Sequence, residues 1–155
     1  MPQKPKNLAA SVRQKLFDLA RSRNEAFELI LVKYGLERIL YRLSRSKHCD
    51  AFVLKGALLF ELWTEHTYRA TRDADFLARG DNSPERFVGI FKELCAIEVE
   101  PDGLAFDAGS VKAERITENA DYEGVRVTFT AYLVSKRREP EACALAYSRH
   151  QARLH

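Results

Sequence analysis

Apolar residues fall into two kinds of spacing along this chain, helical in its first third and alternating in much of the rest. Val12, Leu16, Leu19 and Ala20 recur three or four positions apart, which predicts an amphipathic helix from a cap at Asn7 or Ser11 to about Arg23. Asn24 then opens a second helix, Glu25 to about Ser46. Its stripe is Phe27, Ile30, Leu31, Tyr34, Ile39, Leu40 and Leu43, and Gly35 is a local weak point. No repeated unit joins the two, so a helical-repeat protein is set aside in favour of a brace packed behind a sheet.

The pattern changes at Phe52. Phe52, Val53 and Leu54 form a short apolar run, Lys55-Gly56 breaks it, and Ala57 to Trp63 has the composition of a short amphipathic helix. A second strand follows. Alternation puts Arg69, Thr71, Asp73 and Asp75 on one face of it, with Ala70, Arg72, Ala74 and Phe76 on the other. Arg79-Gly80-Asp81-Asn82 reads as a turn, and Ser83-Pro84-Glu85 starts a helix to about Ala96 that buries Phe87, Ile90, Phe91 and Leu94. After a turn at Pro101-Asp102-Gly103, Val111 to Ile116 and Val125 to Leu133 read as strands linked by Asp121 to Gly124. The second has Val125, Val127, Phe129 and Ala131 alternating with Arg126, Thr128, Thr130 and Tyr132. The sum is an α/β fold with an α+β mixed sheet.

The chemistry concentrates between Phe52 and Phe76. Two aspartates two positions apart on a strand lie about 6.5–7 Å apart at the backbone, so their carboxylates can converge on one divalent cation or a cation pair. Hard oxygen ligands suit Mg²⁺ or Mn²⁺, which proteins usually hold with the help of substrate phosphates. Lys55-Gly56 offers a place for those phosphates, because a glycine at a helix start exposes free N–H groups and the positive end of the helix dipole. Each part also has a plainer reading. An Asp-x-Asp pair is commonly a solvated strand end, Lys-Gly commonly just a turn, and Arg69 with Thr71 an ordinary polar face. Their combination is what a nucleoside triphosphate and its cation require.

Composition narrows the class. The chain has 155 residues, 46% hydrophobic and 30% charged, which suits one globular domain. Within it, 1–48 reads as a helical brace, 49–134 as the core and 135–155 as a basic tail. No apolar run approaches the roughly 20 residues that span a bilayer, and MPQKPKNLAA lacks the apolar region of a secretory signal, so a cytoplasmic protein without membrane contact is expected. Cys49, Cys95 and Cys143 are widely spaced, which predicts partly buried reduced thiols rather than disulfides or a zinc site. His48, His66, His150 and His155 show no ligand spacing, and Trp63 reads as core. The net charge of +3 permits nucleic-acid contact without arguing for it. Arg38, Arg42, Arg45 and Lys47 read as a solvated helix face.

The segments VLKGALLF and RATRDADF, taken together, resemble the AbiEii/AbiGii toxin family, nucleotidyltransferase-like proteins of abortive-infection and type IV toxin–antitoxin systems. The family pattern is a Lys-Gly-Gly or similar turn followed by R-x-[ST]-x-D-x-D. Ala57 stands here where many members have glycine or serine. Ile116, Tyr122, Gly124, Arg126 and Val127 continue the likeness in an I-x-x-x-x-x-Y-x-G-x-R-V rhythm. The resemblance implies a nucleotidyltransferase core behind N-terminal helices, with Asp73 and Asp75 as catalytic metal ligands. It implies a nucleotide site from Lys55, Gly56, Ala57, Arg69 and Thr71, an NTP substrate, RNA as acceptor and a cognate antitoxin as partner.

The likeness stops at Leu133. Family members continue with a strand bearing a third metal carboxylate, whereas VSKRREPEACALAYSRHQARLH shows no apolar strand ending in an acid, and Pro140 between Glu139 and Glu141 suits no central strand. The change of text predicts a shortened or frame-shifted member, incomplete at the C-terminus, with an unpaired sheet edge beside Asp73 and Asp75 and a weakened or lost activity. The alternative is a non-catalytic nucleotide- or partner-binding remnant. A DxD glycosyltransferase ranks last, since the Arg-x-Thr prefix has no place in it.

Overall fold

The computed structural model describes residues 8–55, 73–119, 122–133 and 141–151. Helix α1 spans Leu8–Arg23 and α2 spans Phe27–Ser44; a single 3-10 turn at Cys49–Ala51 leads into strand β1, Phe52–Lys55. Strand β2 is Asp73–Ala78, helix α3 is Pro84–Ala96, and strands β3, β4 and β5 are Leu104–Asn119, Tyr122–Leu133 and Glu141–Gln151. The strands form one sheet in the order β1-β2-β5-β4-β3. Among the described strands the β2–β5 pair is parallel, and β1–β2, β5–β4 and β4–β3 are antiparallel. The expected α/β class with a mixed sheet behind N-terminal helices is therefore observed.

Alternation along β4 builds the core. Val125, Val127, Phe129, Ala131 and Leu133 are all buried, and with Ala74, Phe76 and Ala78 of β2 they make one apolar sheet face. Helices α2 and α3 close that face with Leu36, Ile39 and Leu43 from the first and Phe87, Ile90, Phe91 and Leu94 from the second. Phe52 sits at the junction, its ring centroid 5.8 Å from Phe76, 6.1 Å from Phe87 and 6.3 Å from Phe91, near the edge-to-face spacing aromatic rings favour. Helix α1 is held outside this layer by a second cluster, Leu16 and Ala20 against Ile30, Leu31 and Leu133.

Three local expectations are corrected. Asn24 closes α1 rather than opening α2: its φ is 51°, its N–H donates to Arg21 O (3.2 Å), and the Glu25 N–H donates to Ala20 O (2.9 Å). This is a Schellman cap, a conformation asparagine enters more easily than other non-glycine residues. Leu19, placed in the α1 stripe by spacing, is 37% exposed, and Ala9 is buried instead. Strand β3 begins at Leu104 rather than Val111, with an irregularity between Asp107 and Lys112 that breaks the period a reader of the sequence would follow.

The largest correction concerns the stretch after Leu133. The region expected as a strandless basic tail contains β5, which occupies the centre of the sheet between β2 and β4. The acid strand consequently has neighbours on both sides, contrary to the unpaired edge expected there. The missed signal has a physical cause. Positions 144 and 146 are register partners of the buried Ala131 and Phe129, yet both carry alanine, which is depleted among strand residues. Pro140 lies before the strand, outside the described residues.

Candidate active site

The site stretch is positioned by a short antiparallel ladder. Phe52 pairs with Ala78, Val53 with Leu77, Leu54 with Phe76 and Lys55 with Asp75. The Arg79 N–H donates to Ala51 O at 2.8 Å, which fixes the end of the ladder away from the acids. Ala74 and Phe76 are 1% and 3% exposed, so burial of that side of β2 sets the register and leaves positions 73, 75 and 77 on the face opposite α2 and α3. Asp75 and Leu77 are half-buried there, and Val53 is exposed. The alternation anticipated for Asp73 and Asp75 holds: both positions share one face, opposite Ala74 and Phe76.

Strand β5 extends that face. Asp73 is in register with Tyr147 and Asp75 with Arg149, which in turn pairs with Arg126 of β4; Arg126 pairs with Glu114 of β3. One row across the sheet therefore reads Lys55, Asp75, Arg149, Arg126, Glu114. Among these, Arg126 Nη1 lies 3.5 Å from Glu114 Oε1, its side chain 26% exposed. Of the other residues expected in the site, Gly56, Ala57, Arg69 and Thr71 lie outside the described residues, as do His66 and the helix from Ala57 to Trp63.

The second concentration of charge lies on the helical side of the sheet, and the sequence did not announce it. Asp102 is buried in the turn before β3, where Oδ2 accepts from Arg38 Nε at 2.7 Å and Arg42 Nη1 at 2.9 Å. Oδ1 accepts from the Leu104 N–H at 3.1 Å, and the Tyr34 hydroxyl donates to the Asp102 carbonyl at 2.7 Å. Burial alone would raise this carboxyl, but the hydrogen bonds from Arg42, Arg38 and Leu104 outweigh it and hold Asp102 below the ordinary aspartate range. Arg42 is itself buried, its guanidinium 4.4 Å from the Phe106 ring centroid. The reading of Arg38 and Arg42 as a solvated helix face is thereby corrected, because a residue 60 positions away supplies the counter-charge.

Burial pushes the Cys95 thiol up to about 11, so it stays protonated, and Cys49 is exposed; both are free thiols. His48 Nε2 lies 2.7 Å from Glu93 Oε2 at the surface, and that hydrogen bond holds the Glu93 carboxyl below its usual range.

The described strands form a five-stranded mixed sheet with positions 73 and 75 on the face opposite α2 and α3, and a comparison with known families places the chain. Residues 38–147 match the family model described as nucleotidyl transferase AbiEii toxin, type IV toxin–antitoxin system. The chain belongs to that family. Among solved structures, it is similar to MenT4, a nucleotidyltransferase toxin from Mycobacterium tuberculosis H37Rv, at 18% identity and a TM-score of 0.40. That likeness covers 89% of this chain and 42% of MenT4, so the chain spans less than half the length of that neighbour. No curated protein matches.

Proposed function

We propose that this protein handles a nucleoside triphosphate on the open face of its sheet, with Asp73 and Asp75 as the ligands of Mg²⁺ or Mn²⁺. The observation that carries the reading is the β1–β2 register, in which Lys55, the residue before Gly56, stands opposite Asp75. Membership of a nucleotidyl transferase toxin family supplies the reaction class. The donor set fits a hard divalent cation, since two carboxylate-bearing positions share one face of β2.

In the transfer, an acceptor hydroxyl oxygen bonds to the α-phosphorus of the NTP, the bond to the bridging oxygen of pyrophosphate breaks, and the hydroxyl proton passes to solvent. The acceptor is RNA in this reading. Bound metal supplies charge neutralisation for the leaving pyrophosphate. Asp73 and Asp75 would hold that ion, Lys55 places a positive charge beside the phosphates, and the backbone at Gly56 and Ala57 lets them approach. Arg69 and Thr71 complete the phosphate contacts. The cognate partner is an antitoxin that covers this face, and the setting is cytoplasmic. In the described chain, no helix is long and apolar enough to cross a membrane.

A specific observation favours a second reading alongside it. Position 149, the neighbour of Asp75 on the central strand, carries arginine rather than a carboxylate, and position 147 carries tyrosine. A two-acid site holds its cation weakly and lacks the third oxygen donor, so turnover is slow or lost while nucleotide binding persists. Incubation with α-labelled NTP, Mg²⁺ and total RNA separates the two. Label transfer that Asp75→Asn removes supports the enzyme. Calorimetric binding of Mg²⁺–NTP without transfer supports the binding remnant, and neither signal would reject both.

A further inference from the structure

The described sheet ends in two edges of unequal kind. Strand β1 closes one end with four residues, short enough to invite little pairing, whereas β3 closes the other with sixteen, and among the described strands its neighbour is β4 alone. The first half of β3 is blunted by its own irregularity. Asp107 Oδ1 accepts from the Gly109 N–H at 2.9 Å, the Ser110 hydroxyl donates to Asp107 O at 2.6 Å, and Ser110 Oγ accepts from the Thr130 N–H at 2.8 Å. From Lys112 the ladder with β4 runs in step, Lys112 with Thr128 through to Thr117 with Glu123. Lys112, Glu114, Arg115 and Thr117 are exposed along this regular stretch.

An edge lysine ordinarily deters a second strand. Here Glu114, two positions on and on the same face, reverses that effect for an identical strand. Two copies of one strand lying antiparallel are related by a two-fold axis perpendicular to the sheet, which passes through one residue and sets equally displaced positions opposite each other. An axis through Lys112, Glu114 or Arg115 would oppose like charges at its centre. An axis through Ala113 instead sets Lys112 opposite Glu114 of the partner subunit, twice, and Val111 opposite Arg115 of the partner subunit. Ala113 is in register with the buried Val127, so Lys112 and Glu114 stand on the face opposite α2 and α3. The Glu114 side chain is 66% exposed and lies 3.5 Å from Arg126, so the row from Arg126 through Glu114 to Lys112 of the partner subunit alternates in sign.

We propose that the Val111–Arg115 stretch of β3 is a self-association edge, on which a second copy of this chain docks antiparallel about Ala113 and joins the two sheets into one. Three strand spacings separate β2 from β3 in each copy and one separates the copies, so both Asp73–Asp75 pairs face the same side of the dimer, about 30–35 Å apart. Docking of this kind depends on β3 and is independent of the nucleotide chemistry.

Sedimentation velocity of the full chain at rising concentration tests it, at low salt, where exposed charge pairs count most. A monomer–dimer equilibrium is expected. Lys112→Glu and Glu114→Lys each oppose like charges across the axis and weaken the dimer roughly tenfold. The double variant Lys112→Glu/Glu114→Lys restores it, and an equimolar mixture of the two single variants forms a heterodimer tighter than either variant with itself. Thermal melts report folding, and Glu114→Gln, with a smaller loss expected, serves if Glu114→Lys fails to fold. A monomer at every concentration overturns the docking and leaves this edge to a strand of a different polypeptide. A dimer that the single variants leave unchanged, or that the double variant does not restore, overturns the pairing about Ala113.

Discussion

Two described aspartates stand beside basic residues on opposite sides of the same sheet, Asp102 by direct contact and Asp75 by strand register. Asp102 lies on the helical side, buried, with the guanidiniums of Arg38 and Arg42 within hydrogen-bond distance. Asp75 lies on the open side, half-buried, flanked in register by Lys55 and Arg149. Burial is the difference that matters. A carboxylate removed from water is held by its partners and ties elements together, here α2 to the start of β3; one that is less buried can exchange partners for a cation, the role proposed for Asp75. The same residue types can thus serve as a fastening or as a site, and exposure rather than composition tells which.

The comparison breaks most visibly at Asp102. Replacing it with alanine leaves Arg42 buried without its counter-charge, and the expected loss is about 3–5 kcal/mol of unfolding free energy, measured by urea titration. A loss below about 1 kcal/mol would mean the cluster contributes no more than a surface pair. Asp75→Asn is expected to do the reverse, lowering nucleotidyl transfer, or Mn²⁺ binding if transfer is absent, by roughly 100-fold, about 2.7 kcal/mol, while the melting temperature stays within a degree or two. Should Asp75→Asn unfold the chain instead, the two aspartates are alike and the contrast is lost.

The acid limb of the stability curve sharpens the same point. Because the folded Asp102 carboxyl is held below its unfolded value, near 3.9, its contribution is complete above that value and disappears as pH falls through the folded one. Urea midpoints of the wild type and Asp102→Asn, compared from pH 6 down to pH 2, should therefore converge at the acid end. A constant gap would show that the charge of Asp102 is not what stabilises. The smallest effect is expected at Arg38, whose side chain is 24% exposed. Arg38→Gln should cost roughly 1 kcal/mol, clearly less than Arg42→Gln in parallel titrations, since only Arg42 is enclosed.

Much of the fold was legible because its signals are local. Alternation fixed which residues of β4 face the core, the Ser83-Pro84-Glu85 start located α3, and the four residues predicted for its buried face, Phe87, Ile90, Phe91 and Leu94, are all buried. Ser83 marks the start without capping it, its hydroxyl donating to Asp81 Oδ2 at 2.8 Å. The Asp-x-Asp element was legible for the same reason, since two residues of period fix a common face whatever the sheet around them. Strand β5 was not legible: its alanines carry little β-propensity, and a place at the centre of a sheet is conferred by two neighbouring strands distant in sequence. Nor could spacing along α2 reveal Arg42 as buried, because its partner Asp102 belongs to a turn 60 positions away in the chain.

The sequence by itself determined the helices, the core face of β4, the family and the pairing of Asp73 with Asp75 on one side of a strand, since each follows from backbone periodicity or from contiguous residues. Only the tertiary structure decided which strand lies beside the acids and which arginines of α2 are enclosed. Those outcomes depend on register between segments far apart in the chain, and register is set by the joint burial of many side chains rather than by any one stretch.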